Sequence, residues 1–181
     1  MVEIRNIFIL LSALFLLSCC FGYLLAELYP DFAKREIEII KNLLRNVTAE
    51  DVPPIAIFVI ILLNNSIKSF GAMILGIFLG IAPILFVAIN GAIIGIFARV
   101  FGEEIGTLAF LMKILPHGVI EIPAIILASS YGVWLGLQFV RDRKNIDKHL
   151  RYATSRFLKV VLPMLIAAAA IETTLITIYR V

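Results

Sequence analysis

Charge is what this chain has least of. Lys, Arg, Asp and Glu make up 16% of its 181 residues, against about 25% in soluble domains. So thin a polar coat cannot cover a core in water, which excludes an ordinary cytosolic enzyme. A net charge of only +3 in so apolar a chain excludes a nucleic-acid-binding arm. Cysteine is scarce too. Cys19 and Cys20 stand side by side in an apolar run, an arrangement that suits neither a disulfide framework nor a zinc site. They read as small residues on a membrane helix. The rival is a lipoprotein-type signal ending at Leu16-Leu17-Ser18-Cys19, against which stand the bulky Leu17 and the apolar segments further on. The long first apolar run and the lack of an A-x-A-like site also argue against a cleaved signal. There is no HExxH pattern, GxSxG elbow, P-loop or paired-aspartate motif, so no catalysis, no cofactor and no metal are expected. Low-complexity tracts and clear internal repeats are absent as well.

What is there is oil. Hydrophobic residues make up 61% of the chain and mean hydropathy is +1.02. The solvent for most side chains must therefore be lipid, and a span needs roughly 20 apolar residues. The expected fold is all-α, a polytopic membrane helix bundle in one membrane domain over residues 1–181, with about five spans. The first covers residues 7–28 and ends before Pro30. Residues 31–50 read as an amphipathic interfacial helix, with Ala33, Ile37, Ile40, Leu44 and Val47 on one side. Lys34, Arg35, Glu38, Lys41 and Arg45 take the other side. Thr48 or Asp51, followed by Pro53-Pro54, marks a helix start. Asn46-Val47-Thr48 is a sequon.

The apolar block over residues 55–101 is too long for one span. A break at Gly80-Ile81-Ala82-Pro83 gives spans at 55–79 and 83–101, more even than a turn at the polar Asn64 to Ser69 stretch. A fourth span covers 117–140, preceded by a kink or half-helix at Leu115-Pro116-His117-Gly118. A basic loop at 141–157 leads to the last span, 158–179. Arg141, Arg143, Lys144, Lys148, Arg151, Arg156 and Lys159 outnumber Lys34, Arg35, Lys41 and Arg45 after the first span. The positive-inside rule then puts the basic loop and the N-terminus in the cytoplasm, and residues 31–51 and Val181 outside. The expected location is the cytoplasmic membrane, multi-pass.

Polar residues inside these spans are costly in hydrocarbon and need partners. They are Asn64, Asn65, Lys68, Asn90, His117, Glu121 and Glu172. The pairs Asn64/Lys68 and His117/Glu121 have the i, i+4 spacing of one helix face. Three readings of the set compete. It is a structural core in which Lys68 pairs with Glu121. Or it is a conduction or binding site, Glu121 carrying a proton or cation and His117 tuning it. Or it is an enzymatic or metal site, which one His and one Glu on one helix are too few to close. Small residues also recur every four positions: Gly76 and Gly80, Gly91 and Gly95, then Ala124, Ala128, Gly132 and Gly136. Such rows let membrane helices approach closely, within one bundle or between copies in a homo-oligomer. Gly118 is counted among the packing glycines.

These residues together carry a resemblance. Asn64-Asn65, Lys68, Gly76, Gly80, Asn90-Gly91, Gly95, His117-Gly118-x-x-Glu121 and Gly132, in this order, resemble the signature of the stage II sporulation protein M family. The resemblance covers residues 64–136, and the earlier helices match in layout. The sequence departs at Ala82, where the family often carries threonine. The resemblance implies a multi-span protein of the cytoplasmic membrane in bacteria or archaea, without catalysis of its own. In endospore formers the member anchors a complex containing peptidoglycan-cleaving enzymes. The function expected here is therefore a membrane scaffold, contacting lipid and other membrane or envelope proteins. The alternative is a small transporter or channel built on the buried polar set.

Overall fold

A computed structural model describes residues 3–45 and 52–178. The described chain is helical, and five of its helical segments, the fifth running over Arg143–Ile178, are long and apolar enough to cross a membrane. They begin with α1 (Ile4–Leu28), which Tyr29 ends before Pro30 opens α2 (Pro30–Arg45). Proline suits that position because a first-turn N–H has no helical acceptor to lose. Ala33 and Ile37 of α2 are buried with Ala26 of α1 and Val100 of α4. The amphipathic helix thus lies on its own bundle. Its expected end at 46–50, the sequon at Asn46 and the candidate caps Thr48 and Asp51 lie outside the described residues.

Next comes α3 (Pro54–Leu75), with a tight turn into α4 (Ile81–Ile105). The break falls at the glycine-proline stretch. Leu79 (φ 58°) and Gly80 (φ 74°) both take the left-handed conformation there, which only glycine adopts freely. The helix α5 (Thr107–Arg141) begins after a single residue, Gly106 at φ 88°. Phe101 and Phe110 stack across that hairpin, their ring centroids 6.1 Å apart.

Beyond Gly106 the structure chooses between the two expectations at Pro116 and overturns the one for the basic segment. No half-helix forms at Pro116, because α5 continues through both Pro116 and Pro123 for 35 residues. At 1.5 Å per residue that is about 52 Å, well beyond a hydrocarbon core of about 30 Å. Each proline removes one backbone hydrogen bond without ending the helix. Nor is the basic segment a loop. After a 3₁₀ turn at Arg143–Asn145 it forms α6 (Ile146–Arg156), then a π-helical turn at Phe157–Val161, then α7 (Leu162–Ile178). Apolar burial explains the order. Ala153, Phe157 and Val161 enter the main core beside Met73, Tyr131 and Leu135. Aromatic rings hold the arm down, with Trp134 against Tyr152 at 5.5 Å and Phe70 against Phe157 at 5.0 Å.

Glycine sets how closely the helices meet. A Cβ on Gly95 would lie 2.0 Å from the Cys19 carbonyl oxygen, and one on Gly91 would lie 2.6 Å from that of Phe15. Gly22 answers from α1, where a Cβ would sit 2.1 Å from the Ala92 carbonyl oxygen. The same contact recurs between α3 and α5. A Cβ on Gly76 would meet the Gly132 carbonyl oxygen at 2.2 Å, and one on Gly136 would meet that of Gly76 at 2.5 Å. Lipid offers no hydrophobic drive for helix association, so such backbone contact carries it. Gly118 differs from the others. A Cβ there would meet only Ile114 and Ile122 of its own helix, so it mediates no helix packing.

Candidate functional site

Three helices, α3, α5 and α7, converge in the apolar part of the bundle. On α5, His117 and Glu121 stand one turn apart between Pro116 and Pro123. Proline has no N–H to give the carbonyl four residues back, so Met112 and Val119 each lose a helical donor. Glu172 comes from α7. One ligand atom each from His117, Glu121 and Glu172 lie within 4.8 Å of one another, and all three residues are partly buried. From α3, Asn65 donates from Nδ2 to Glu121 Oε1 at 2.9 Å. Asn64 donates to Asn65 Oδ1 at 3.1 Å. The chain Asn64, Asn65, Glu121 thus fixes one carboxylate from outside the cluster.

The site differs from the expected one in three ways. Lys68 is exposed on α3, and Glu121 takes its hydrogen bond from Asn65 instead. The expected Lys68–Glu121 ion pair therefore does not form. Asn65 occupies the face of α3 toward α5, and Lys68, with Asn64, lies round the helix from it. Asn64 is likewise exposed rather than buried. Asn90 also stays out of the cluster. Its amide donates to the Phe86 carbonyl at 2.7 Å within α4, which satisfies it locally.

The same helices carry buried hydroxyl groups outside the expected polar set. The side-chain oxygens of Ser66, Ser69, Ser129 and Thr173 are buried without a hydrogen-bond partner, as is His117 Nδ1. Other hydroxyls bond their own helix, as Ser130 does to the Ile126 carbonyl at 2.7 Å. Leaving a buried donor or acceptor unmade costs roughly 1–3 kcal/mol. Ser69 lies one turn from Asn65, and Thr173 is next to Glu172. A polar residue one turn from, or beside, an intramembrane carboxylate or amide is the signal that would have found Ser66, Ser69 and Thr173, though not Ser129.

At the basic end, a second polar group fastens the arm. Asp142 accepts from Asn145 Nδ2 at 3.0 Å, and His149 Nε2 lies 3.0 Å from its other oxygen. The bond with His149, and then that with Asn145, hold the Asp142 carboxyl below its usual value of 3.8. His149 also stands edge-on to Trp134 at 5.3 Å. At the opposite end, Arg99 of α4 bonds both Glu27 of α1 and Glu103 of its own helix.

Chemically, the three-helix cluster can hold protons or a cation. It offers two carboxylates and an imidazole, and among the described residues no Lys or Arg is bonded to either acid. The expectation of no metal came from counting ligands along one helix. The fold supplies a third from α7.

A family model described as Stage II sporulation protein M matches residues 11–176 of this chain. An uncharacterized protein of Methanocaldococcus jannaschii is 36% identical over 93 residues, 51% of this chain. The chain covers 42% of that relative's length. No solved structure matches.

Proposed function

The chain belongs to the stage II sporulation protein M family, and we propose that it moves or binds a small cation through the His117, Glu121 and Glu172 cluster. It is a multi-span membrane protein. In this proposal it sits in the cytoplasmic membrane, with the N-terminus and the basic arm inside. The observation that carries the reading is the convergence of two carboxylates and a histidine from two helices within 4.8 Å. An ionisable group at membrane depth is costly unless it pairs or works. With Lys68 exposed, pairing by that lysine does not account for Glu121. Glu121 would carry the ion, Glu172 would share it, and His117 would set the affinity. Asn65 would hold Glu121 in place.

The test is flux in proteoliposomes. An imposed pH or cation gradient should collapse faster with the wild-type chain than in empty vesicles, and Glu121→Gln should abolish the difference. Wild-type vesicles no leakier than empty ones would sink the transport reading.

A scaffold is the second reading, and the basic arm favours it. Leu150, Arg151, Thr154, Ser155, Leu158 and Lys159 line an open groove of about 420 Å³ on α6 and the π turn. The groove combines an apolar floor with cationic edges, as a surface for an acidic protein partner would. In this reading, cross-linked co-purification from native membranes recovers a stoichiometric partner. Reversing the charges of Arg151 and Lys159 should then release it. Recovery of the chain by itself would remove the support for this reading.

A further inference from the structure

We infer that His117, Glu121 and Glu172 bind one divalent first-row transition-metal ion inside the bilayer. This deepens the cation-site reading above and rests on it. The cluster poses a charge problem first. If both ionise, two carboxylates side by side in apolar surroundings call for two positive charges, and the described residues bond no Lys or Arg to either. A single divalent ion meets that demand.

The donor set narrows the ion. Calcium and magnesium prefer shells of oxygen alone. A histidine nitrogen beside two carboxylate oxygens suits zinc, manganese or iron(II) instead. The geometry is close to what such an ion needs. With metal–ligand bonds of about 2.1 Å, tetrahedral ligands stand about 3.4 Å apart. The three candidate atoms already lie within 4.8 Å of one another, and side-chain rotation closes that gap. Three protein ligands leave a coordination position open for water or a further ligand, which is the pattern of a working site rather than a closed structural one.

Two independent observations point to the same ligand. His117 Nδ1 is buried without a hydrogen-bond partner. Asn65 already orients Glu121 through its 2.9 Å bond, the outer-shell support that metal-bound groups ordinarily have. Thr173, which follows Glu172 in α7, is 8% exposed and also unpartnered.

The experiment uses the full chain, purified in detergent through a tag without histidine and stripped with a chelator. Zinc retained after gel filtration is counted by elemental analysis, and cobalt(II) is added as a spectroscopic probe. The expected result is one zinc per chain and a cobalt spectrum with the ligand-field bands of a low-coordinate nitrogen–oxygen site. His117→Gln and Glu172→Gln should each weaken binding at least about 100-fold, and Asn65→Leu about 10–100-fold. His149→Gln, in the arm, should leave it unchanged. Zinc retention no greater in the wild-type chain than in the H117Q/E121Q/E172Q variant overturns the inference, as does a cobalt spectrum identical to that of the aqueous ion. The cobalt spectrum is read on the wild-type protein alone, so that result does not depend on any variant folding. If metal binding fails while the wild-type chain still collapses a pH gradient in vesicles, protons are the cargo. The cation-site reading then stands and the metal inference falls.

Discussion

Replacing Gly95 with alanine tests helix packing at its tightest point. The added Cβ would sit 2.0 Å from the Cys19 carbonyl oxygen and 2.8 Å from the Tyr23 nitrogen. Ordinary contacts begin at 3.4 Å, so the added atom would lie far inside contact distance. Both opposing atoms are backbone, so no side chain can swing aside. The helices α1 and α4 must part, which also loosens the neighbouring contacts at Gly91 and Gly22. Overpacking of this kind costs about 1–3 kcal/mol. Helix propensity works the other way, since Gly→Ala in a helix gains up to about 1 kcal/mol. The internal control is Gly71→Ala on α3, where a Cβ meets nothing within 4 Å. It takes the propensity gain without the clash. Reversible unfolding in mixed detergent should therefore place Gly95→Ala about 1–3 kcal/mol below Gly71→Ala. Equal stability of the two variants would refute backbone contact as the source of α1–α4 cohesion.

Three further contacts make predictions. A double-mutant cycle on Asn65→Ala and Glu121→Ala should give a coupling near 0.6 kcal/mol and below about 1.7 kcal/mol, the range for interhelical hydrogen bonds in membranes. The same cycle with Lys68→Ala should give no coupling, and a coupling of several kcal/mol would restore the Lys68–Glu121 ion pair. Arg99→Gln should shift the unfolding midpoint little, because its partners Glu27 and Glu103 are half exposed and water screens such pairs. Asp142 predicts an acid transition of the arm. Its folded carboxyl titrates below 3.8, so its contribution to stability is present above that value and lost as pH falls through the lower folded value. Trp134 is the chain's single tryptophan and lies against His149, so its fluorescence should report the loss. An acid transition centred above 3.8, or one unchanged in Asp142→Asn, would refute the assignment.

The helices were legible in the sequence because lipid imposes a simple rule on length and apolarity. The break at Gly80 was legible because glycine and proline mark it. What escaped was decided by tertiary contacts. Pro116 reads as a kink or a half-helix, and the sequence does not choose between them; a neighbouring helix can hold a helix together through a missing hydrogen bond, and α5 runs on. The charges of residues 141–159 read as a loop because they hide the buried period of Ala153, Phe157 and Val161. The candidate site was half legible. The i, i+4 spacing put His117 and Glu121 on one face, and membrane depth singled out Glu172. No spacing rule connects residue 121 to residue 172, or shows that Asn65 rather than Lys68 would reach Glu121. Those depend on how α3 and α7 are turned about their axes, a property of packing.

The bundle divides its work between two kinds of interface. Where α1 meets α4, and where α3 turns into α4 against α5, glycine brings backbone onto backbone. Such contacts are short and hard, and they leave no room for one helix to shift without losing them. The candidate site uses the other kind. At α7 the buried surface is Leu165, Ala168, Ala169 and Thr173, with no glycine in the helix. Its N-terminal end carries the π-helical turn at Phe157–Val161 and then Pro163, both of which weaken the regular ladder. Unpartnered hydroxyls on α3, α5 and α7 are groups that a small rearrangement could satisfy. On the cation reading proposed above, an ion that enters and leaves needs ligands that can take up more than one arrangement. Glu172 rides on the glycine-free α7, while His117 and Glu121 sit on α5 between two prolines and away from its close glycine contacts at Gly132 and Gly136.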